Sequence, residues 1–259
     1  MKLGPNILRG LVLGGLMLLA QSATADEPVR RFYGYAYDLD SGRYLYTEVH
    51  AQRFEQGRWL GGTIDYYAAD GSLLGRKTLD FSRDAYAPQF RLEQADGSVL
   101  ALAGQRDGVE LQRRRGADRP LERKHITAPA AGDGTLCADA GLLNLIHRHL
   151  AELQNGQALR FTILAAGSLD SFRFSARKSG ERMVDGRRAI ALRLEPDSLL
   201  RLLAAPVELV YAPDGDRLLE LRGPSNIRDP RTHAVYNTRV IYPDRAPADA
   251  PATLPPLDG

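Results

Sequence analysis

Apolar and polar residues alternate along most of the chain after residue 25, and this alternation predicts β-strands. Between Arg31 and Asp38, tyrosines occupy every second position, which is the two-residue period of a strand with two different faces. Asp-Gly pairs such as those at Asp70, Asp96 and Asp185 join several alternating runs, a strong hairpin signal because both residues tolerate positive φ. Thirteen strands are predicted, at 31–38, 43–52, 63–68, 73–81, 89–93, 99–103, 109–114, 159–165, 171–177, 188–195, 207–211, 217–222 and 235–242. Strands joined by such tight turns pair antiparallel.

The first predicted hairpin concentrates tyrosines. If residues 39–42 form a four-residue loop, Tyr37 lies opposite Tyr44 and Tyr35 lies opposite Tyr46, so that four tyrosines share one face. Aromatic rings on one face either pack as an ordinary core or line a cavity for an apolar ligand. We therefore take Tyr35, Tyr37 and Tyr46 as candidate ligand-binding residues.

The apolar period changes from two to about 3.6 after Asp139. Asp139 is placed to cap an amphipathic helix over 139–154, which ends at an Asn-Gly pair. A short Leu-rich second helix is expected after Asp197 and before Pro206. The predicted fold is mainly β: an antiparallel curved sheet or open half-barrel with one packed amphipathic helix and a short second helix.

The two ends of the chain differ from the rest. Residues 1–25 contain a basic start, an apolar stretch and Ala23-Thr24-Ala25, the pattern of a signal peptide, which predicts cleavage after Ala25 and export, in a Gram-negative cell to the periplasm. An uncleaved anchor is the alternative, but the apolar stretch is about half of the roughly 20 residues that a spanning helix needs. Residues 243–259 are rich in Pro and Ala and predict a disordered tail. A single β-rich domain is expected over 26–242.

Charge and cysteine content limit the classes of protein to which this chain can belong. Without Lys2 and Arg9 of the signal peptide, the 34 basic and 32 acidic side chains become 32 of each, a balance that argues against a nucleic-acid binder. No later apolar run has membrane length, so an integral membrane protein is not expected. The single cysteine, Cys137, cannot form an intrachain disulfide and is either a buried apolar side chain or a reactive thiol at a helix start.

No catalytic or metal-binding motif stands out. Ser175 and Lys178 match the S-x-x-K spacing, but the alternation around them predicts a strand, which puts the two side chains on opposite faces. His147 and His149 point away from each other on a helix. The sequence therefore favours a protein without enzymatic activity, metal or cofactor. A hydrolase built from residues distant in sequence stays an alternative, with Ser225 and His233 as its obvious candidates.

Two polar segments are candidate binding sites. The loop over 222–230 gathers hydrogen-bonding groups at Arg222, Ser225 and Asn226, which either orient a ligand or serve a turn. A basic run either contacts anionic lipid or another polyanion, or protects a sheet edge from pairing with another chain. Its members are Arg113, Arg114, Arg115, Arg119, Arg123 and Lys124.

Four segments resemble uncharacterised exported proteins of Gram-negative bacteria: Tyr33–Asp38, Gly42–Glu48, Ala138–Gly141 and Gly223–Ile227. The order of strands, helix and strands also resembles that of the periplasmic lipoprotein carriers (LolA and LolB) and of RseB-like sensors. That resemblance implies an open β half-barrel whose helices cover an apolar concave face, and it transfers no residue. We expect a non-catalytic protein that binds a lipid, an acyl chain or another apolar ligand outside the cytoplasm. An envelope module that binds protein or polyanion through its surface is the alternative.

Overall fold

The computed structural model describes residues 29–128, 134–197, 206–215, 217–255 and 257. Fifteen strands of these residues form one curved sheet, and the mainly β fold class is thereby confirmed. The strands are β1 (Val29–Asp38), β2 (Tyr44–Glu55), β3 (Arg58–Ala68), β4 (Leu73–Asp80), β5 (Gln89–Gln94), β6 (Val99–Gly104), β7 (Gly108–Arg114), β8 (Glu122–Thr127), β9 (Thr135–Cys137), β10 (Leu159–Ala165), β11 (Asp170–Val184), β12 (Arg187–Pro196), β13 (Val207–Tyr211), β14 (Leu218–Arg228) and β15 (Val235–Ile241).

The chain enters the sheet at its centre and fills it in two halves. The strand order is β8-β7-β6-β5-β4-β3-β2-β1-β15-β14-β13-β12-β11-β10-β9. The first and last described strands, β1 and β15, pair antiparallel in the middle of the sheet. The two edge strands, β8 and β9, follow each other in the sequence. Every described pair is antiparallel except β9 with β10, which is parallel.

Tight turns join the strands as the Asp-Gly pattern predicts. Between β11 and β12, Asp185 and Gly186 have φ of 48° and 75°, the two consecutive positive values of a type I′ hairpin turn, which suits the twist of the strands. All thirteen predicted strands are present. β8 and β9 were not predicted, and β14 continues to Arg228 through the segment that the sequence analysis assigned to a loop.

The register of the first hairpin differs from the prediction. Tyr37 pairs with Tyr44, but Tyr35 pairs with Thr47 and Tyr46 pairs with Ala36, because the register shifts between Ala36 and Tyr37. An irregularity of this kind moves the following residues to the other face. The expected face of four tyrosines is therefore wrong: Tyr46 lies on the inner face of the sheet, where its ring meets that of Tyr66 at 5.8 Å.

The predicted helix is two short helices, α1 (Gly141–Arg148) and α2 (Leu150–Gln154). His149 separates them with φ −108° and ψ 14°, outside the α-helical region. Asp139 does not cap α1, whose N-cap is Ala140 and has no side-chain capping bond. Buried leucines of both helices pack on the strands β10 to β13 in one apolar cluster, so the packing of the helical segment on the sheet is confirmed.

Several predicted features concern the ends of the chain and one inner segment. The signal peptide and the second helix expected after Asp197 lie outside the described residues, and their existence stays a prediction. Residues 243–255 have neither helix nor strand, yet Tyr37 Oη donates to Asp249 at 2.9 Å and Tyr33 Oη donates to the Pro255 carbonyl at 2.5 Å. The disorder of the tail in solution stays a prediction. Among the described helices, none has the length and apolar character needed to cross a bilayer.

The curvature of the sheet brings β8 close to the β10–β11 turn. The Lys124 ammonium lies 2.9 Å from the Asp170 carboxylate. The Arg113 guanidinium donates to the Gly167 carbonyl at 2.8 Å. Polar contacts therefore link the two ends of an open sheet around its concave face.

Candidate ligand-binding cavity

A cavity of about 1000 Å³ lies between the concave face of the sheet and the helices. Inward-facing side chains of both halves of the sheet and the cavity side of α1 line it. Most of this lining is apolar or aromatic, and it includes Phe32, Tyr46, Ile64, Tyr66, Leu100, Leu142, Leu143, Ile163, Phe174, Leu221 and Val240. A large concave site with apolar walls and a few polar groups is the usual form of a small-molecule site.

The first polar group on the wall is centred on Glu48 of β2. Its Oε2 atom accepts hydrogen bonds from His50 Nε2 at 2.9 Å and from Tyr242 Oη at 3.1 Å. Burial and the adjacent Glu48 carboxylate raise the pKa of Tyr242 well above its usual value, so that this phenol stays protonated and donates. Phe32 stacks on the His50 ring at 4.4 Å and 9°, which fixes the ring orientation.

The second polar group is a buried ion pair between β4 and the start of α1. Lys77 Nζ lies 2.9 Å and 2.7 Å from the two oxygens of Asp139, and each side chain is 5% exposed. Asn226 Nδ2 also donates to Asp139, at 2.9 Å. The ammonium lies 5.9 Å from the ring centroid of Tyr66 and 6.0 Å from that of Phe90, so aromatic faces help to stabilise it.

Two tyrosine hydroxyls complete the polar wall. Tyr46 Oη and Ser225 Oγ lie 2.7 Å apart, and burial raises the pKa of Tyr46 well above its usual value. The hydroxyl of Tyr211 is buried and has no hydrogen-bond partner among the described residues. A buried hydroxyl without a partner is costly, so this atom is available to a polar group of a ligand.

The predicted ligand-binding residues divide into two groups. Tyr35, Tyr46, Ser225 and Asn226 line the cavity, and the structure brings the last three together at its polar wall. Tyr37 and Arg222 do not line it.

On the outer face, Arg222 joins an ion-pair network. The carboxylate of Glu220 lies 2.5 Å from the Arg222 guanidinium and 2.7 Å from that of Arg239. Burial alone would raise the pKa of Glu220, but the hydrogen bonds from Arg239 and Arg222 outweigh it and lower the pKa. Arg222 is therefore occupied in a network that faces away from the cavity.

The predicted basic patch is largely neutralised by neighbouring groups. Arg113 is buried and donates to Glu122, and Arg114 donates to the Gly97 carbonyl. Arg115, Arg119, Arg123 and Lys124 each lie within 4 Å of a carboxylate, those of Glu122, Asp118, Glu110 and Asp170 respectively. The run occupies β7, edge strand β8 and the turn between them, as the edge-protection interpretation expects.

Sequence reasoning missed Glu48, His50, Lys77, Asp139 and Tyr242 as site residues. They come from β2, β4, the turn before α1 and the end of β15, so no single segment of sequence shows them together. One signal was available: Glu48 and His50 continue the two-residue period of Tyr46, which puts two ionisable side chains on an inward face. Inward ionisable residues on an otherwise apolar face are unusual and point to a site.

Fold and cavity together define a class: a chain whose single long, mostly antiparallel sheet curves around a largely apolar cavity with a small polar wall. No protein-family model and no curated protein matches the chain. Two solved structures do. The "beta-barrel-like protein of domain of unknown function DUF1849" from Brucella abortus is 6% identical, with 83% of this chain and 95% of that chain covered and a TM-score of 0.44. MucB is 13% identical, with 83% and 52% covered and a TM-score of 0.25.

The expected distant resemblance to RseB-like proteins is found through MucB, an RseB homologue. Both TM-scores lie below 0.5 and both identities below 25%, so neither structure implies a site residue or an activity for this chain.

Proposed function

We propose that this chain binds a lipid, an acyl chain or another apolar ligand in the cavity, outside the cytoplasm and without catalysing a reaction. The observation that carries the proposal is the cavity itself, about 1000 Å³ in volume with mostly apolar walls. Well-packed interiors leave few voids larger than a water molecule, so a largely apolar recess of this size is unusual, and an apolar ligand can fill it. Ligand pockets for small molecules commonly have volumes of about 300–1,000 Å³.

The walls suit a flexible apolar chain. Leu143 of α1 and Leu221 of β14 are both partly buried and both line the cavity. Removing an apolar ligand surface from water against such walls is favourable by roughly 25 cal/mol per Å². Exported chains with a cavity of this kind can carry molecules that are poorly soluble in water, and the predicted signal peptide supports the proposed location.

The test is native mass spectrometry of the full chain, expressed with its own first 25 residues in a Gram-negative host and purified from the periplasm. Co-purifying molecules are then extracted and identified. A double variant, Leu143→Trp with Leu221→Trp, narrows the cavity. The matched control, Leu73→Trp with Val235→Trp, places the same bulk at two residues that are 43% and 45% exposed and do not line it.

We expect an apolar molecule on the unmodified protein and on the control, and its loss from the cavity variant. Circular dichroism checks that all three proteins fold alike. Equal loading of all three would place the molecule elsewhere on the surface. A protein that carries nothing, and takes up nothing when lipids are offered, would rule the proposal out.

A further inference from the structure

We infer that the cavity holds the head group of an amphiphile at Glu48, and that this head group donates hydrogen bonds and carries no negative charge. The inference rests on the proposed function and names its ligand class: a long apolar chain that ends in an amine or a hydroxyl group.

Glu48 offers an acceptor that the protein does not use. Its Oε2 atom receives His50 and Tyr242, whereas its Oε1 atom has no hydrogen bond from any residue in the described part of the chain. An ionised carboxylate has about four acceptor sites on its two oxygens, and burying one is costly unless those sites are filled. Glu48 is buried and lines the cavity, so a ligand in the cavity can reach it.

The charges around the cavity favour a donor over an anion. Lys77 is held by both oxygens of Asp139, and Arg217 is paired with Asp244. Arg30 and Arg31 also border the cavity, but both are exposed to solvent at the start of β1. Within the cavity, the basic partner of the Glu48 carboxylate among the described residues is His50, and no arginine or lysine pairs with it, so a second carboxylate beside it would be repelled.

The site is also rigid before any ligand arrives. Phe32 stacks on His50, and the Tyr242 ring packs so closely on β1 that a Cβ atom at position 34 would lie 2.5 Å from it. Both donors to Glu48 Oε2 are thereby fixed, and so is the direction of Oε1. A preorganised acceptor loses little entropy when it binds a donor.

Three ligands with the same twelve-carbon chain test the inference at pH 7: dodecylamine, dodecanol and dodecanoate. Each is titrated below its micellar concentration or, for dodecanol, below its solubility limit into delipidated full-length protein, and displacement of a fluorescent apolar probe gives its Kd. We expect the amine and the alcohol to bind at least about tenfold more tightly than the carboxylate, the range of one hydrogen bond to a charged group.

Two variants test whether Glu48 causes the tighter binding of the amine and the alcohol. In Glu48→Gln the difference should shrink to less than about threefold, because the amide also donates and carries no charge. Glu93→Gln makes the same substitution at an exposed position outside the cavity and should keep the full preference. Glu48→Asp keeps the charge but withdraws the carboxylate from the cavity by one methylene group, and it should also reduce the preference, which provides a second test if Glu48→Gln does not fold.

The outcomes separate this inference from the proposed function. If none of the three amphiphiles binds, the proposed function itself fails. If all three bind equally, or dodecanoate binds most tightly, the cavity is a ligand site but the inference about Glu48 is wrong. A preference that survives in folded Glu48→Gln would overturn it as well.

Discussion

Gly34 shows how a single missing side chain shapes the polar wall of the cavity. A Cβ atom at this position would lie 2.5 Å from Cε1 of Tyr242 and 2.9 Å from Oε2 of Glu48. The Tyr242 ring would have to move and would weaken its bond to Glu48. We expect Gly34→Ala to reduce the free energy of unfolding by about 1–3 kcal/mol, the usual cost of overpacking, as measured by urea denaturation.

A matched substitution is available at Gly167, where an added Cβ meets nothing within 4 Å. Gly167→Ala should change the free energy of unfolding by less than about 0.5 kcal/mol. Equal effects at the two glycines would mean that the close approach of Tyr242 to β1 is not what makes Gly34 necessary.

The Lys77–Asp139 pair gives the second prediction at this scale. Removing one partner of a buried pair leaves the other charge uncompensated, and Lys77→Met should cost about 3–5 kcal/mol of stability. Adding Asp139→Asn should recover much of this loss, because the amide is neutral and asparagine tolerates the positive φ of 46° at this position. A double-mutant cycle by chemical denaturation measures the coupling.

The exposed pair between Arg91 and Glu93 supplies the comparison for that cycle. Arg91→Met should cost no more than about 1 kcal/mol, as is usual for surface pairs. A Lys77→Met variant that is no less stable than Arg91→Met would show that the buried pair has little structural importance.

Cys137 gives a prediction about pH. Burial raises the pKa of its thiol from about 9.0 to about 12. The folded state therefore keeps a proton that the unfolded state loses, so this thiol contributes stability that is complete below pH 9 and is lost as the pH rises towards 12. Between pH 9 and pH 12, the free energy of unfolding should therefore fall less steeply with pH in Cys137→Ala than in the unmodified protein.

The same burial bears on thiol reactivity, since the thiolate is the nucleophile. We expect Ellman's reagent at pH 8 to react with Cys137 far more slowly in native protein than in protein unfolded in guanidinium chloride. Equal rates would favour the reactive-thiol interpretation of this residue.

At the scale of the elements, the two faces of the helical segment have different tasks. Leu153 of α2 is fully buried in the apolar cluster, whereas Leu143 of α1 is partly buried and lines the cavity. Leu153→Ala should cost about 2–5 kcal/mol of stability, with little effect on the Kd for a ligand. Leu143→Ala should raise the Kd for a ligand, as measured by titration, and should change the thermal stability little. A larger stability loss in Leu143→Ala would contradict this division.

Elements with a clear period could be predicted from the sequence, and those without one could not. β8 begins with four consecutive ionisable residues (Glu122 to His125) and so shows no alternation, because an edge strand has little to bury. β9 has three residues, too few for any period. The break at His149 and the shift between Ala36 and Tyr37 are local backbone adjustments imposed by tertiary packing, and the residue types around them do not reveal either.

The candidate site was less predictable than the fold, for a related reason. Tyr46, Ser225 and Asn226 were found because aromatic and amide side chains are conspicuous in strands and loops. Glu48 and Lys77 were not, because a charged residue in a strand ordinarily faces solvent. The inward orientation of Glu48 depends on a register that the irregularity of the first hairpin decides, whereas Lys77 shares the buried period of Gly75 and Leu79 on β4.

At the scale of the whole molecule, the C-terminal segment borders the cavity. Asp244 pairs with Arg217, Asp249 and Pro255 accept hydrogen bonds from tyrosines of β1, and Ala246 lines the cavity. Truncation after residue 245 should leave the sheet intact and shorten the residence time of a fluorescent apolar ligand by severalfold, since affinity differences between related complexes appear mostly in the dissociation rate. Stopped-flow measurement gives that rate.

A second variant distinguishes the effect of the whole C-terminal segment on ligand release from the effect of its hydrogen bond with Tyr37. Tyr37→Phe keeps the segment but removes the hydrogen bond to Asp249, and should cost only about 0.5–1.5 kcal/mol of stability without changing ligand release. Identical release rates from the truncated and full-length proteins would show that the segment does not restrict ligand exit.

The strand order also sets a mechanical limit on the molecule. β8 ends at Thr127 and β9 begins at Thr135. The seven residues between them give eight Cα–Cα steps, which reach about 29 Å at full stretch and must bridge the two edges of the sheet. Laid flat, fourteen spacings of about 4.8 Å would set those edges about 67 Å apart. Because the β8–β9 connection is shorter than this distance, the sheet cannot flatten. The length of the connection therefore limits how far the cavity can widen to admit a large ligand.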